Sequence, residues 1–226
     1  MSLDPSRRRL IRYLAVAGAA GPAGLSGWMS RALAAGTLGG VEGVARLEGT
    51  ATVNDRPAKV GTPVKPGDRI ATGKASQAVV VVGSDAFLLR SETTVETKGS
   101  SGIATALTVL NGKLLSVFGK KPMSIQAGPA AIGIRGTGAY IELEAARVYF
   151  CLCYGEAVID GRNMPPKTVK TEHHESPLWL YEDGSALKAE PGPFLNHTDA
   201  ELTMLEALVG REPPFVSSGA YPTKRY

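Results

Sequence analysis

Cys151 and Cys153 are the only cysteines in a chain of 226 residues. They stand two apart in a run, residues 148–154, whose β-branched and aromatic character predicts a strand. Side chains alternate along a strand, so both thiols point to one face. Three states are open to such a pair. The thiols can stay free and buried. They can close a disulfide, although i and i+2 on extended chain lie at the edge of disulfide geometry, and that bond would be strained and easily reduced. They can bind a metal as thiolates. The chain has three histidines, His173, His174 and His197, and all follow the cysteines. One or two of these imidazoles beside the Cys-x-Cys pair would make a mixed sulfur and nitrogen site suited to zinc or copper. Neighbours on an extended chain face opposite sides, so His173 and His174 are not expected to ligate together. Each histidine is also accounted for as a hydrogen-bonded loop residue, and His197 as a residue that orders a helix start.

Other constellations carry less chemistry. Arg135-Gly136-Thr137-Gly138 has the look of an anion-binding loop, with Arg135 and Thr137 as its binding residues. It lacks the Gly-Lys-Ser/Thr ending of a phosphate loop and no helical period follows it, so a tight bend serves as well. Glu142 and Glu144 lie on one face of a strand, where solvated carboxylates are common. Trp179 and Tyr181 share a face and read as packing residues. No His-Glu-x-x-His, nucleophile elbow or calcium loop occurs, so the expectation is a non-enzymatic protein.

The elements that must position these residues are short. Across residues 41–160, β-branched runs alternate with turn signals every 8–12 residues or so. This predicts an all-β fold: a sandwich or jelly roll, or a short β-helix. Asn111-Gly112, between residues 107–110 and 113–118, predicts a type I′ hairpin. Gly155-Glu156 predicts another turn between residues 148–154 and 157–159. After Asp160, prolines at 165, 166, 177, 191 and 193 break the chain. Residues 161–226 read as a small C-terminal appendage with strands near 168–172 and 178–181. Thr198-x-x-Glu201 is a capping box, and Leu202, Leu205, Leu208 and Val209 mark a helix near 199–209 that Gly210 stops. The stretch from Glu212 onward reads as irregular.

The N-terminus carries an address. Ser6-Arg7-Arg8-Arg9-Leu10-Ile11-Arg12 resembles the twin-arginine export motif, with Arg7 and Arg8 as the pair. A loose apolar run over residues 13–25 follows, shorter than the ~20 residues of a spanning helix. Ala32-Leu33-Ala34 then fits a cleavage site. Residues 1–34 are expected to be a signal peptide, the mature chain to have no transmembrane helix, and the location to be the periplasm. The signal holds five of the 25 basic residues and one of the 21 acidic ones. The mature chain is therefore balanced in charge, which argues against nucleic acid as a partner.

Residues 43–143 resemble the FecR domain, named for a periplasmic regulator of iron uptake. The matching elements are Gly43-x-Ala45-x-Leu47 and Val60-Gly61-x-x-Val64-x-x-Gly67-Asp68-x-Ile70-x-Thr72-Gly73. Ser76-x-Ala78-x-Val80, Leu110-x-Gly112-x-Leu114 and Ala131-Ile132-Gly133-Ile134-Arg135-Gly136-Thr137 also fit. The resemblance implies an all-β extracytoplasmic domain over residues 41–160. It also implies a binding, regulatory or scaffolding role in envelope signalling, linked in that family to iron, toward an envelope protein or a small ligand. The family's iron-uptake regulators also carry a cytoplasmic segment that grips a sigma factor and a spanning helix. Neither is read here, so direct sigma-factor control is not expected. The other reading is a metal- or redox-active protein using the Cys-x-Cys pair and the histidines.

Overall fold

A computed structural model describes residues 41–217. The twin-arginine pair, the cleavage site and the end of the polar tail lie outside the described residues. The fold is all-β, with fifteen strands and two short helices among those residues. The strands form one continuous, mostly antiparallel sheet, folded through two long strands into two facing layers, called the first and second sheets.

The first sheet runs β1 (Gly43–Glu48), β5 (Gln77–Val82), β6 (Asp85–Leu89), the second half of β8 (Ile103–Val117), β11 (Gly138–Leu143), the first half of β12 (Val148–Gly161), β14 (Leu178–Asp183) and β15 (Ala186–Pro191). The second sheet contains β3 (Arg56–Pro57), β2 (Ala51–Val53), β4 (Arg69–Thr72), β7 (Thr94–Ser100), the first half of β8, β9 (Pro122–Ala127), β10 (Ala130–Arg135), the second half of β12 and β13 (Met164–Thr171). Among the described strands, only β8 and β9 pair in parallel.

Two expected hairpins are corrected. Asn111-Gly112 is not a turn, because β8 passes straight through it. The strand pairs β7 up to Asn111 and β11 from Gly112 onward. Likewise β12 runs through Gly155, pairing β11 before it and β10 and β13 from there on. Both glycines have positive φ, +89° and +98°. The positive φ that would close a hairpin here bends one long strand round the corner of the sandwich instead.

The interior core lies between the sheets. Val80, Phe87, Leu89, Leu114, Ile141, Phe150 and Leu152 of the first sheet meet Ile70, Val95, Leu107, Ile125, Ile132 and Ile159 of the second. The Gly67-Asp68-x-Ile70-x-Thr72-Gly73 run serves this core. Ile70 is fully buried. The Asp68 carboxylate accepts from the Lys65 amide at 2.7 Å and the Asn54 side chain at 2.7 Å. The Thr72 hydroxyl donates to the Arg90 carbonyl at 2.5 Å. These residues build turns and packing rather than a site.

The outer face of the first sheet is also apolar, and the C-terminal segment covers it. Helix α1 (Asp199–Leu208) has Thr198 as N-cap, with the capping box to Glu201 complete on both sides. A ten-residue helix is marginal alone. Leu202, Met204, Leu205 and Leu208 are buried to within 1 %, each burial worth about 1.5–3 kcal/mol. They pack on Val79, Leu88, Leu115, Tyr140 and Tyr154. The stretch after Glu212, expected to be irregular, contains one further helical turn, α2 (Pro214–Ser217). Proline suits such a first helical position, where its missing N–H would have no partner. Strand β13 begins earlier than expected and includes Pro165 and Pro166. It pairs only with β12, so it is an edge strand, where proline is tolerated. Trp179 packs edge-on against Tyr149 and carries the Arg147 guanidinium 3.6 Å above its ring.

Candidate metal centre

The first half of β12 has one face in each core. Phe150 and Leu152 point into the sandwich; Tyr149, Cys151 and Cys153 point outward, beneath the C-terminal segment. Both thiols are free and completely buried. Strand pairing fixes them: Cys151 lies opposite Tyr140 of β11.

The histidines arrive from two loops. After β13 the chain folds back, and the His174 amide donates to the Cys153 carbonyl at 3.1 Å. His174 has φ of +55°. This kink breaks the alternation of an extended chain, so His173 and His174 are both buried, with ring centroids 4.7 Å apart. His197 comes from the segment just before α1. Its ring stacks on Tyr140 at 4.5 Å. Phe194 packs on both His174 and His197.

One donor atom from each of Cys151, Cys153, His174 and His197 lies within 4.8 Å of the others. His174 Nδ1 is 3.2 Å from His197 Nε2 and 3.6 Å from Cys151 Sγ. A tetrahedral zinc ion with ordinary bond lengths sets its ligands at edges of about 3.3 Å for nitrogen to nitrogen and about 3.5 Å for sulfur to nitrogen. The observed separations sit close to those edges. All four residues are buried.

The other ring nitrogens decide the tautomers. His174 Nε2 is 3.0 Å from the Asp199 carboxylate, and His197 Nδ1 is 2.5 Å from the Leu195 carbonyl. An ionised carboxylate and a carbonyl only accept, so each of these nitrogens donates. In the neutral rings, Nδ1 of His174 and Nε2 of His197 are then lone pairs aimed at each other. Asp199 stays ionised: burial would raise its pKa, but hydrogen bonds from His174 and His173 hold it below its ordinary value.

Charge at the thiols points the same way. Cys151 is pulled well below the ordinary thiol range, first by the hydrogen bond from the Cys153 thiol and, against the cost of burial, by His174 and His197. Burial, and then the charge on Cys151, push Cys153 up. For His174, burial works against protonation, and Asp199 and Cys151 outweigh it, so its pKa is raised. A cavity that favours a thiolate beside an imidazolium is one in which a cation can replace protons.

The structure thus brings together four of the five residues singled out by type and spacing. His173 is not one of the four. Its Nε2 donates to both Asp199 oxygens, at 2.9 and 3.0 Å, and its ring lies against Phe215. Asp199, the residue that orients the histidines, was not singled out in the sequence. Its only signal there is an acidic residue at the first position of a capped helix, which ordinarily means a dipole interaction. Arg135 and Thr137 do not converge on one site: Arg135 is exposed on β10, while Thr137 is wholly buried and its carbonyl accepts from the Phe118 amide. Glu142 is buried and takes bonds from Tyr140, Asn196 and Lys113.

No family model matches the sequence, and no curated protein matches it. Among solved structures, two of a "putative anti-sigma factor" from Parabacteroides distasonis are similar. One is 11% identical with a TM-score of 0.45; the other is 10% identical with a TM-score of 0.46. Each match covers 54% of this chain and 59% of that one, so it spans under two thirds of those proteins. No helix among the described residues is long and apolar enough to cross a membrane.

Proposed function

We propose that this is a non-enzymatic metal-binding protein of the bacterial cell envelope, holding one zinc ion through Cys151, Cys153, His174 and His197. The observation that carries the reading is the 3.2 Å approach of two ring nitrogens, each of which presents a lone pair to the other when its ring is neutral, beside two buried thiols. Two sulfurs and two nitrogens in a tetrahedral arrangement suit zinc. Four protein ligands leave no open position for a substrate, which favours a structural or regulatory ion over a catalytic one. The two acceptors behind the rings, Asp199 and the Leu195 carbonyl, are the outer shell such a centre needs. The twin-arginine-like start supports export to the periplasm. That route carries folded proteins, so the ion can be loaded before the thiols meet an oxidising compartment. The likeness of residues 43–143 to FecR domains supports a regulatory or scaffolding role toward an envelope partner.

Metal analysis of natively exported protein tests the reading. One zinc per chain is expected, with a cobalt-substituted form showing the visible absorption of a tetrahedral thiolate site. Copper at the same stoichiometry would change the ion and keep the ligands. Protein that binds neither metal under reducing conditions, with both thiols titrating freely once unfolded, would sink it.

A further inference from the structure

The chain after β15, from Gly192 to the end of α2, crosses the outer face of the first sheet as a strap and forms no strand there. Side chains hold it. Tyr149 donates to the Pro193 carbonyl at 2.7 Å. Asn196 donates to Glu142 at 2.6 Å. Arg90 donates to the Asn196 carbonyl at 2.7 Å and to Glu201 at 2.9 Å. Glu206 accepts from Tyr154, and Arg211 donates to the Ser84 carbonyl at 2.7 Å. The apolar side of α1 adds its burial.

The four donors are divided unequally between strap and body. Cys151, Cys153 and His174 belong to β12 and the loop folded onto it. His197 belongs to the strap, as does Asp199, which receives the Nε2 proton of His174. We infer that the metal centre is the clasp of this strap, so that metal occupancy sets how readily residues 193–209 lift from the sheet. The inference rests on the metal reading above.

The coupling follows from ligand count. With the strap down, an ion has two thiolates and two imidazoles; with the strap lifted, it keeps three ligands and His174 loses its carboxylate. Loss of an outer-shell partner alone weakens metal affinity by about 10–100-fold, so loss of His197 together with Asp199 costs at least that. Linkage is reciprocal: whatever factor separates the affinities of the two states, the bound ion suppresses opening by the same factor. Without the ion the strap still closes, because Leu202, Leu205 and Leu208 remain buried, but it opens more often. Each opening uncovers Val79, Val81, Leu88, Leu115 and Tyr140, an apolar face that the loaded protein keeps covered.

Amide hydrogen exchange on the mature protein tests this, comparing zinc-loaded and chelator-stripped samples under reductant, with zinc content read first on the same material. The α1 amides should exchange at least about tenfold more slowly with zinc, by a factor distinct from that of the β9 and β10 amides of the far sheet, whose exchange follows global stability. His197→Ala should keep a weaker ion on three ligands and shrink this difference to the share that Asp199 sustains. Arg211→Ala, which loosens the far end of the strap from Ser84, should speed exchange in both states and keep their ratio; it serves where His197→Ala fails to fold. One zinc per chain with unchanged α1 protection overturns the clasp and leaves the metal centre standing, as does protection that rises equally in both sheets. Failure to bind zinc at all overturns the centre itself and the clasp with it.

Discussion

His197 Nε2 faces His174 Nδ1 across 3.2 Å, and Asp199 and the Leu195 carbonyl hold the opposite sides of the two rings. When both rings are neutral their lone pairs meet at that distance and repel unless a proton or a metal cation stands between them. Cys151, 3.6 Å from the same His174 nitrogen, supplies negative charge for that cation.

Replacing either sulfur should cost metal before it costs fold. Cys151→Ser and Cys153→Ser are each expected to weaken zinc binding by more than ~100-fold, beyond the ~10–100-fold attached to outer-shell residues. Competition with a chromophoric chelator reads the loss, and unchanged far-ultraviolet circular dichroism shows the β-fold retained. Wild-type affinity in both serine variants would remove the thiolates from the site.

Asp199 should matter although it touches no metal. Asp199→Asn leaves a neutral partner that does not hold the His174 tautomer as firmly. An affinity loss of about 10–100-fold is expected, measured in the same competition. A residue that merely starts a helix would change thermal stability and leave metal affinity alone.

Stability should track free zinc. An ion that binds only the folded state adds RT ln(1 + [L]/Kd), about 2.7 kcal/mol at a hundred times Kd. Calorimetry in a series of zinc buffers should therefore show the midpoint climbing with the logarithm of free zinc. Cys151→Ser should flatten that slope over the same range.

Gly112 should resist substitution for a reason unrelated to the metal. Its φ is +89°, and a Cβ there would lie 2.5 Å from Thr93 Cα. Gly112→Ala combines left-handed strain with a backbone clash. It is expected to cost about 3 kcal/mol or more, read as a lower urea midpoint with an unchanged slope.

Acid should weaken the anchor of the strap. Burial would raise the Glu142 pKa, but bonds from Tyr140, Asn196 and Lys113 outweigh it and hold the group below its ordinary value of 4.5. A depressed carboxylate contributes stability that is complete above the unfolded value and is lost as pH falls through the lower folded one. Glu142→Gln should therefore be less stable than wild type at neutral pH, and the gap should close in acid below the ordinary carboxylate range. Urea titrations at several pH values measure the gap. A gap that widens as pH falls would contradict this assignment.

Much of this protein is determined locally and is legible in its sequence. The two-residue period of a strand places Cys151 and Cys153 on one face, whichever sheet they join. Thr198 and Glu201 cap a helix because the partners of a capping box lie three residues apart. The β-branched runs and frequent turn signals specify an all-β fold. Tertiary structure decides the rest, wherever the determinant is distant in the chain. A glycine with positive φ can close a hairpin or bend a long strand, and at Gly112 and Gly155 only the neighbouring strands choose the bend. Extended chain would separate His173 from His174, and only the fold-back onto Cys153 imposes the φ of +55° that brings both inward. His174 is separated from Cys151 by 23 residues and from His197 by another 23. No local rule spans such intervals. The thiols are paired by the strand, but what they face is settled by the packing of two loops and a helix against one side of a sheet.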